Sequence, residues 1–194
     1  MTYYCKLLCI VLFVILLGGG KSQAQSKEVV VYRDYTRQEA ALLDSLKREG
    51  VMSLFKGINE LKKQVLGVKE STPVNVKPRR EERRKMAPEE IIKRRRESVL
   101  TVNKYLRAMA GPEMVTGWAT AVVLSEDGIC VTNYHVFWEL LDAKVKLNPR
   151  DSIMFVATES GRVYPITEVL SFNRAADMAF FKIDTRDDVL VPMP

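Results

Sequence analysis

Ile129-Cys130-Val131-Thr132-Asn133-Tyr134-His135-Val136 contains the only histidine of the 194-residue chain. The β-branched residues Ile129, Val131 and Thr132 predict a strand that stops at Asn133, two residues before the imidazole. The side chain is thereby carried at the end of a rigid element. Further on, Asp177 immediately precedes the apolar run Met178-Ala179-Phe180-Phe181-Lys182-Ile183, which predicts a second strand. A His and an Asp at the ends of two strands of one sheet supply two parts of a three-part catalytic arrangement. Asp177 stands among Ala175, Ala176, Met178 and Ala179, where a carboxylate is costly to bury unless something donates to it. An imidazole Nδ1–H is such a donor, and the bond leaves Nε2 free to accept a proton. The bland alternative is a structural or surface histidine.

Around these two strands the texture is that of short strands at close spacing. Ser98–Asn103, Thr116–Leu124, Ile129–Asn133, Ser152–Ala157, Arg162–Ser171 and Met178–Asp184 give six. Ser125-Glu126-Asp127-Gly128 joins the second to the third as a hairpin turn whose Asp-Gly supplies a positive φ. Glu159-Ser160-Gly161 joins the fourth to the fifth in the same way. Six antiparallel strands with small turns leave few bare edges when they close on themselves, so the expected fold is mainly β, a six-stranded antiparallel β-barrel. From Thr185 to Pro194 the sequence has the look of the start of a linker.

Before the barrel, the sequence predicts an α-helical N-terminal segment. Thr36-Arg37-Gln38-Glu39 has the form of a capping box, and Ala40, Leu42, Leu43 and Leu46 follow at helical spacing until Gly50. Leu54, Phe55, Ile58, Leu61, Val65 and Leu66 mark a second helix ending at Gly67. The two helices are expected to pair or to pack on the following domain; self-association through them is the other use of their apolar faces. Val29-Val30-Val31-Tyr32 is a short β-like run of no assigned role, and Glu70–Pro78 predicts an extended connection.

Leu7 to Leu17 is an apolar stretch too short to span a bilayer as a helix. With Lys6 before it and Ser22-Gln23-Ala24 after it, the stretch predicts a secretory signal peptide cleaved after Ala24, the other reading being an uncleaved N-terminal anchor. No cysteine lies at that site, which argues against a lipoprotein anchor. Periplasmic or secreted location is expected. Cys5 and Cys9 would leave with the signal, so Cys130 is alone; its place in a strand predicts a buried core thiol. One His and one Cys cannot make a zinc site of ordinary composition, and no cofactor is implied.

Loss of Lys6 and Lys21 leaves 28 basic against 24 acidic residues, a net of +4. Lys77 to Arg96 alone carries +6, so the basic character belongs to one segment and the remainder is slightly acidic. Within it, Pro88-Glu89-Glu90 opens a short helix whose far end is complemented by Arg94-Arg95-Arg96. No aromatic is interleaved with the basic residues, so nucleic acid is not an expected partner. The expected layout is a signal peptide over 1–24, a helical segment over 25–76, a basic linker with a short helix over 77–97, and a barrel over 98–194.

Residues 98–186 resemble the first barrel of a trypsin-like (chymotrypsin-fold) serine protease and are most similar to the bacterial HtrA-like branch. The matching pieces are Glu97-Ser98-Val99-Leu100-Thr101-Val102, Leu124-Ser125-Glu126-Asp127-Gly128, Thr132-Asn133-Tyr134-His135-Val136, Gly161-Arg162-Val163-Tyr164 and Ala176-Asp177-Met178-Ala179-Phe180-Phe181-Lys182-Ile183. Their order and spacing together carry the resemblance. It implies the first half of a double-barrel fold, His135 as general base, Asp177 as the carboxylate that orients it, and protein or peptide substrates. There are departures. The family's usual Gly-Ser-Gly falls on Ala119-Thr120-Ala121, with Trp118 and Cys130 as unusual neighbours. The Gly-x-Ser-Gly-Gly-like turn that carries the nucleophile has no counterpart between His135 and Pro194; Ser152, Ser160 and Ser171 lack that glycine context. The expectation is a serine endopeptidase fragment, truncated before the second barrel and inactive by itself. A non-catalytic barrel used for binding or assembly is the alternative.

Overall fold

A computed structural model describes residues 34–48, 51–77, 84–109 and 111–194. Residues 1–24, expected from sequence to be a signal peptide, the Val29–Tyr32 run and part of the Arg79–Lys85 charge run lie outside the described residues. Six strands are present: β1 (Val99–Leu106), β2 (Met114–Val123), β3 (Ile129–Thr132), β4 (Asp151–Ala157), β5 (Val163–Asn173) and β6 (Met178–Ile183). They form a closed antiparallel barrel in the order β1-β2-β3-β6-β5-β4, with β4 returning to β1. The six-stranded barrel expected from the sequence is therefore the observed fold. The two meanders β1–β3 and β4–β6 join through β3–β6 and β1–β4, and closure leaves no long bare edge.

The turn between β2 and β3 shows why a glycine stands at 128. Its φ is +96°, and a Cβ there would lie 2.8 Å from the Ile183 carbonyl oxygen. The same backbone is tied to β6, with Ile183 N–H donating to Gly128 O at 3.0 Å.

The barrel interior holds Leu100, Val102, Val123, Cys130, Val156, Ile166 and Phe181, all buried in one cluster. Phe137 and Leu140, from the segment after His135, belong to the same cluster. The Cys130 thiol is buried as its strand position predicted, and burial pushes its pKa up to about 12.

The N-terminal helices do not pair with each other as a hairpin; each spends its apolar face on the barrel. Helix α1 (Tyr35–Lys47) buries Leu42 and Leu46 in a second cluster with Phe55, Tyr105, Ile153 and Phe155, over the outer face of β1 and β4. Helix α2 (Ile58–Val65) contributes Ile58, Leu61 and Val65 to the interior cluster. Each such side chain contributes on the order of 1.5–3 kcal/mol by leaving water. This is the packing onto the following domain that the sequence allowed.

The capping box falls differently from expectation. Asp34, not Thr36, is the N-cap, its carboxylate accepting from Arg37 N–H at 3.1 Å. Glu39 reaches away from the helix end to accept from Gly117 N–H at 2.8 Å. Gly117 adjoins a bulge: Val102 pairs with Ala119 and Asn103 with Gly117, which leaves Trp118 as the extra residue of β2.

Helix α3 (Pro88–Arg95) opens on Pro88 as expected and closes on basic residues, with Glu90 paired to Arg94 at 2.9 Å. The segment after β6 is not a free linker. Leu190 is buried, and Leu190 N–H and Met193 N–H donate to Glu126 O and Val123 O. The Asp188 carboxylate accepts from Tyr164 Oη at 2.6 Å. Among the described residues no helix is long and apolar enough to cross a membrane.

Candidate active site

β3 ends at Thr132, and Tyr134–Val136 form a single 3-10 turn that carries His135 clear of the sheet. Val136 and Phe137 are buried immediately afterwards, so the chain dives back into the core and leaves His135 at the crest. A four-residue helix, α4 (Trp138–Leu141), follows.

Asp177 arrives from the opposite side. The turn between β5 and β6 is closed by Asn173 Oδ1 accepting from Ala176 N–H at 2.8 Å and by Arg174 O accepting from Asp177 N–H at 3.2 Å. Asp177 itself has φ +49°, a left-handed conformation that Asp tolerates better than most residues. β3 and β6 are neighbours, with Thr132 opposite Ala179, so the end of one lies beside the start of the other.

The result is a two-point attachment. Asp177 Oδ2 lies 2.9 Å from His135 Nδ1, and Asp177 Oδ1 accepts from the backbone N–H of His135 at 3.0 Å. Asn133 Nδ2 is a third donor to the carboxylate, meeting Oδ2 at 3.0 Å, and also reaches Asp177 O at 3.2 Å. The His135 backbone N–H, followed by its side chain and Asn133, holds the Asp177 carboxyl below the usual carboxylate range. A carboxylate facing Nδ1 selects the Nδ1–H tautomer, so Nε2 carries the lone pair.

Both sequence-predicted site residues are brought together, but not in the buried setting expected for Asp177. Its side chain is 44% exposed and that of His135 is 67% exposed. The pair stands on an open face, and its geometry is held by hydrogen bonds and the turn rather than by an apolar enclosure. A cleft of about 350 Å³ beside Trp118, lined also by Tyr35, Leu42 and Asn103, includes neither member of the pair.

Two groups of supporting residues have no role assigned to them from sequence. Asn133 lay within the quoted stretch, and its place at the strand end was the available signal. Lys104 occupies the inward parity of β1 after Leu100 and Val102, an anomalous position for a cation. Its ammonium meets Asp151 at 3.2 Å and Glu139 of α4 at 3.0 Å. Lys104 and Asp151 are each only 6% exposed, a buried ion pair beneath the helix that follows His135. Trp118, turned by the bulge, lies over the same ammonium and donates from Nε1 to Val136 O at 3.4 Å.

Among the described residues no group of three His, Cys, Asp or Glu is placed to hold a metal ion. No protein-family model matches the chain, and no curated protein does.

Proposed function

We propose that His135 and Asp177 are the base half of a serine-type endopeptidase site in an exported protein of the trypsin-like, HtrA-like kind. The observation that supports this reading most is the double engagement of Asp177, one oxygen on His135 Nδ1 and the other on His135 N–H. A carboxylate held this way fixes both tautomer and ring direction, the two properties a general base needs before it can take a proton from a hydroxyl. The solvent-facing ring leaves Nε2 accessible to a group from outside the barrel. In the proposed cycle His135 Nε2 takes the serine proton as the hydroxyl attacks the scissile carbonyl. The imidazolium then returns that proton to the leaving amine, and water hydrolyses the acyl-enzyme. Asp177 stays ionised throughout and stabilises the imidazolium.

The serine and the backbone donors of an oxyanion hole are proposed to lie on a second barrel outside these 194 residues. The alternative is a non-catalytic barrel used for binding or assembly.

The test is labelling by a fluorophosphonate probe of the gene product read beyond Pro194. The expected result is one labelled serine, with labelling lost in His135→Ala; loss of the base costs such sites up to about 10⁶-fold in turnover. Equal labelling of the variant rules out His135 as the base, and a stop codon directly after Pro194 favours the binding module.

A further inference from the structure

The helical segment before the barrel is docked through polar anchors that converge on the two loops of the His135–Asp177 pair. Lys62, on α2, donates from Nζ to three backbone carbonyls: Glu139 O at 2.7 Å, Asp142 O at 2.8 Å and Val145 O at 2.7 Å. Those carbonyls belong to the end of α4 and the loop after it, the direct continuation of the His135 turn. A cation at the carbonyl end of a helix is favourable by charge as well as by hydrogen bonding. All three ammonium protons are used, which fixes the position of α4 relative to α2.

Downstream of α2 the same segment reaches the Asp177 turn. Ser71, at φ +59°, donates its N–H to Phe172 O at 2.8 Å, and its hydroxyl accepts from Asn173 Nδ2 at 3.1 Å. Glu70 Oε1 accepts from Arg174 N–H at 2.9 Å, and its other oxygen faces the Arg174 guanidinium. Asn173 and Arg174 are the residues whose side-chain and backbone oxygens close the turn on Ala176 and Asp177. The Arg174 guanidinium also lies 5.7 Å from the centre of the Tyr134 ring, next to His135.

We propose that residues 58–71 are a positioning clamp for the imidazole–carboxylate pair, with Lys62 setting the His135 side and Glu70–Ser71 setting the Asp177 side. The proposal rests on the reading of that pair as a catalytic dyad. The β3–β6 pairing fixes the two strand ends to each other, and the helix and strap add bonds to the chain on the far side of each site residue, the loop after His135 and the turn before Asp177. Lys62 and Glu70 touch neither the imidazole nor a substrate and act through the backbone they hold.

The single histidine makes the test direct. Long-range ¹H–¹⁵N correlation on the untagged full chain reports one imidazole and its tautomer. The expected wild-type signal is the Nδ1–H form, defined by its loss in Asp177→Asn. Lys62→Met and Glu70→Ala should each shift His135 toward the mixed tautomers of a free imidazole, while Lys63→Met, an exposed neighbour on the same helix, should not. Glu70 lies on the surface, so its variant keeps the claim testable if Lys62→Met fails to fold. A wild-type-like tautomer in both variants, with the melting temperature lowered or not, overturns the clamp and leaves the dyad standing. Mixed tautomers in the wild type overturn both.

Discussion

The Lys104 ammonium lies 3.8 Å from the centre of the Trp118 ring, and that indole in turn donates to the carbonyl of Val136, the residue after His135. A buried cation is thus linked through one aromatic side chain to the histidine turn. Its two carboxylates come from the start of β4 and from α4, so the cluster ties three parts of the chain together. Removing one partner of a buried pair strands the other, which commonly costs about 3–5 kcal/mol. Lys104→Met should therefore lower stability by that order in urea unfolding followed by tryptophan fluorescence. The double variant Lys104→Met/Asp151→Leu should regain much of it, because the deeply buried carboxylate is gone and only Glu139, 28% exposed, is left without its cation; no recovery would mean that packing, not the Asp151 charge, carries the loss.

The pH response of Asp177 has a defined sign. Its folded pKa lies below the usual 3.8, chiefly because of the His135 backbone N–H. A carboxyl depressed on folding contributes stability that is fully present above its unfolded pKa and is lost as pH falls through the folded pKa. The Asp177 carboxyl ¹³C shift should therefore stay that of a carboxylate down to pH values where exposed Asp residues are already protonated. Titration at or above the ordinary value would show that the His135 N–H does not hold it.

Gly128 and Gly161 both have positive φ, yet they predict different costs. A Cβ at 128 meets the Ile183 carbonyl at 2.8 Å, whereas at 161 it meets nothing within 4 Å. Gly161→Ala should cost about 1–2 kcal/mol from backbone strain alone. Gly128→Ala should cost more, because β6 must also shift; equal midpoints in urea would refute the close approach.

Cys130 should resist alkylation while the protein is folded. A thiol pushed up to about 12 has almost no thiolate at pH 8, and burial excludes the reagent as well. Peptide mapping after iodoacetamide treatment should find Cys130 modified only in denaturant, and modification in native buffer would place it at the surface.

Strand number, the turn glycines and the His135–Asp177 pairing were legible because each rests on local pattern: β-branched runs, Asp-Gly, and polar residues at strand ends. β1 runs on to Leu106 where the sequence suggested Asn103, because Lys104 breaks the apolar rhythm and its burial depends on Asp151 and Glu139 far along the chain. The Trp118 bulge was hidden for a similar reason. A run such as Gly117-Trp118-Ala119-Thr120 has no mark for an extra residue; the register against β1 creates it. Glu39 satisfied a local capping rule in sequence and a distant N–H in space. The exposure of Asp177 could not be read from its alanine neighbours, since Ala175 and Ala176 themselves sit on an open turn.

Gln64 has a consequence for how extended chains meet this barrel. Its side-chain amide donates to Val169 O at 3.0 Å and accepts from Val169 N–H at 2.9 Å, beside the irregular stretch of β5. One amide thereby reproduces the pair of bonds that a neighbouring strand would offer. A peptide adding itself along β5 would have to displace Gln64, and α2 with it, before gaining its first main-chain pair. Strand addition at this point is thus coupled to release of the helix that also holds the loop after His135, so an added strand and that loop compete for the same short segment of chain.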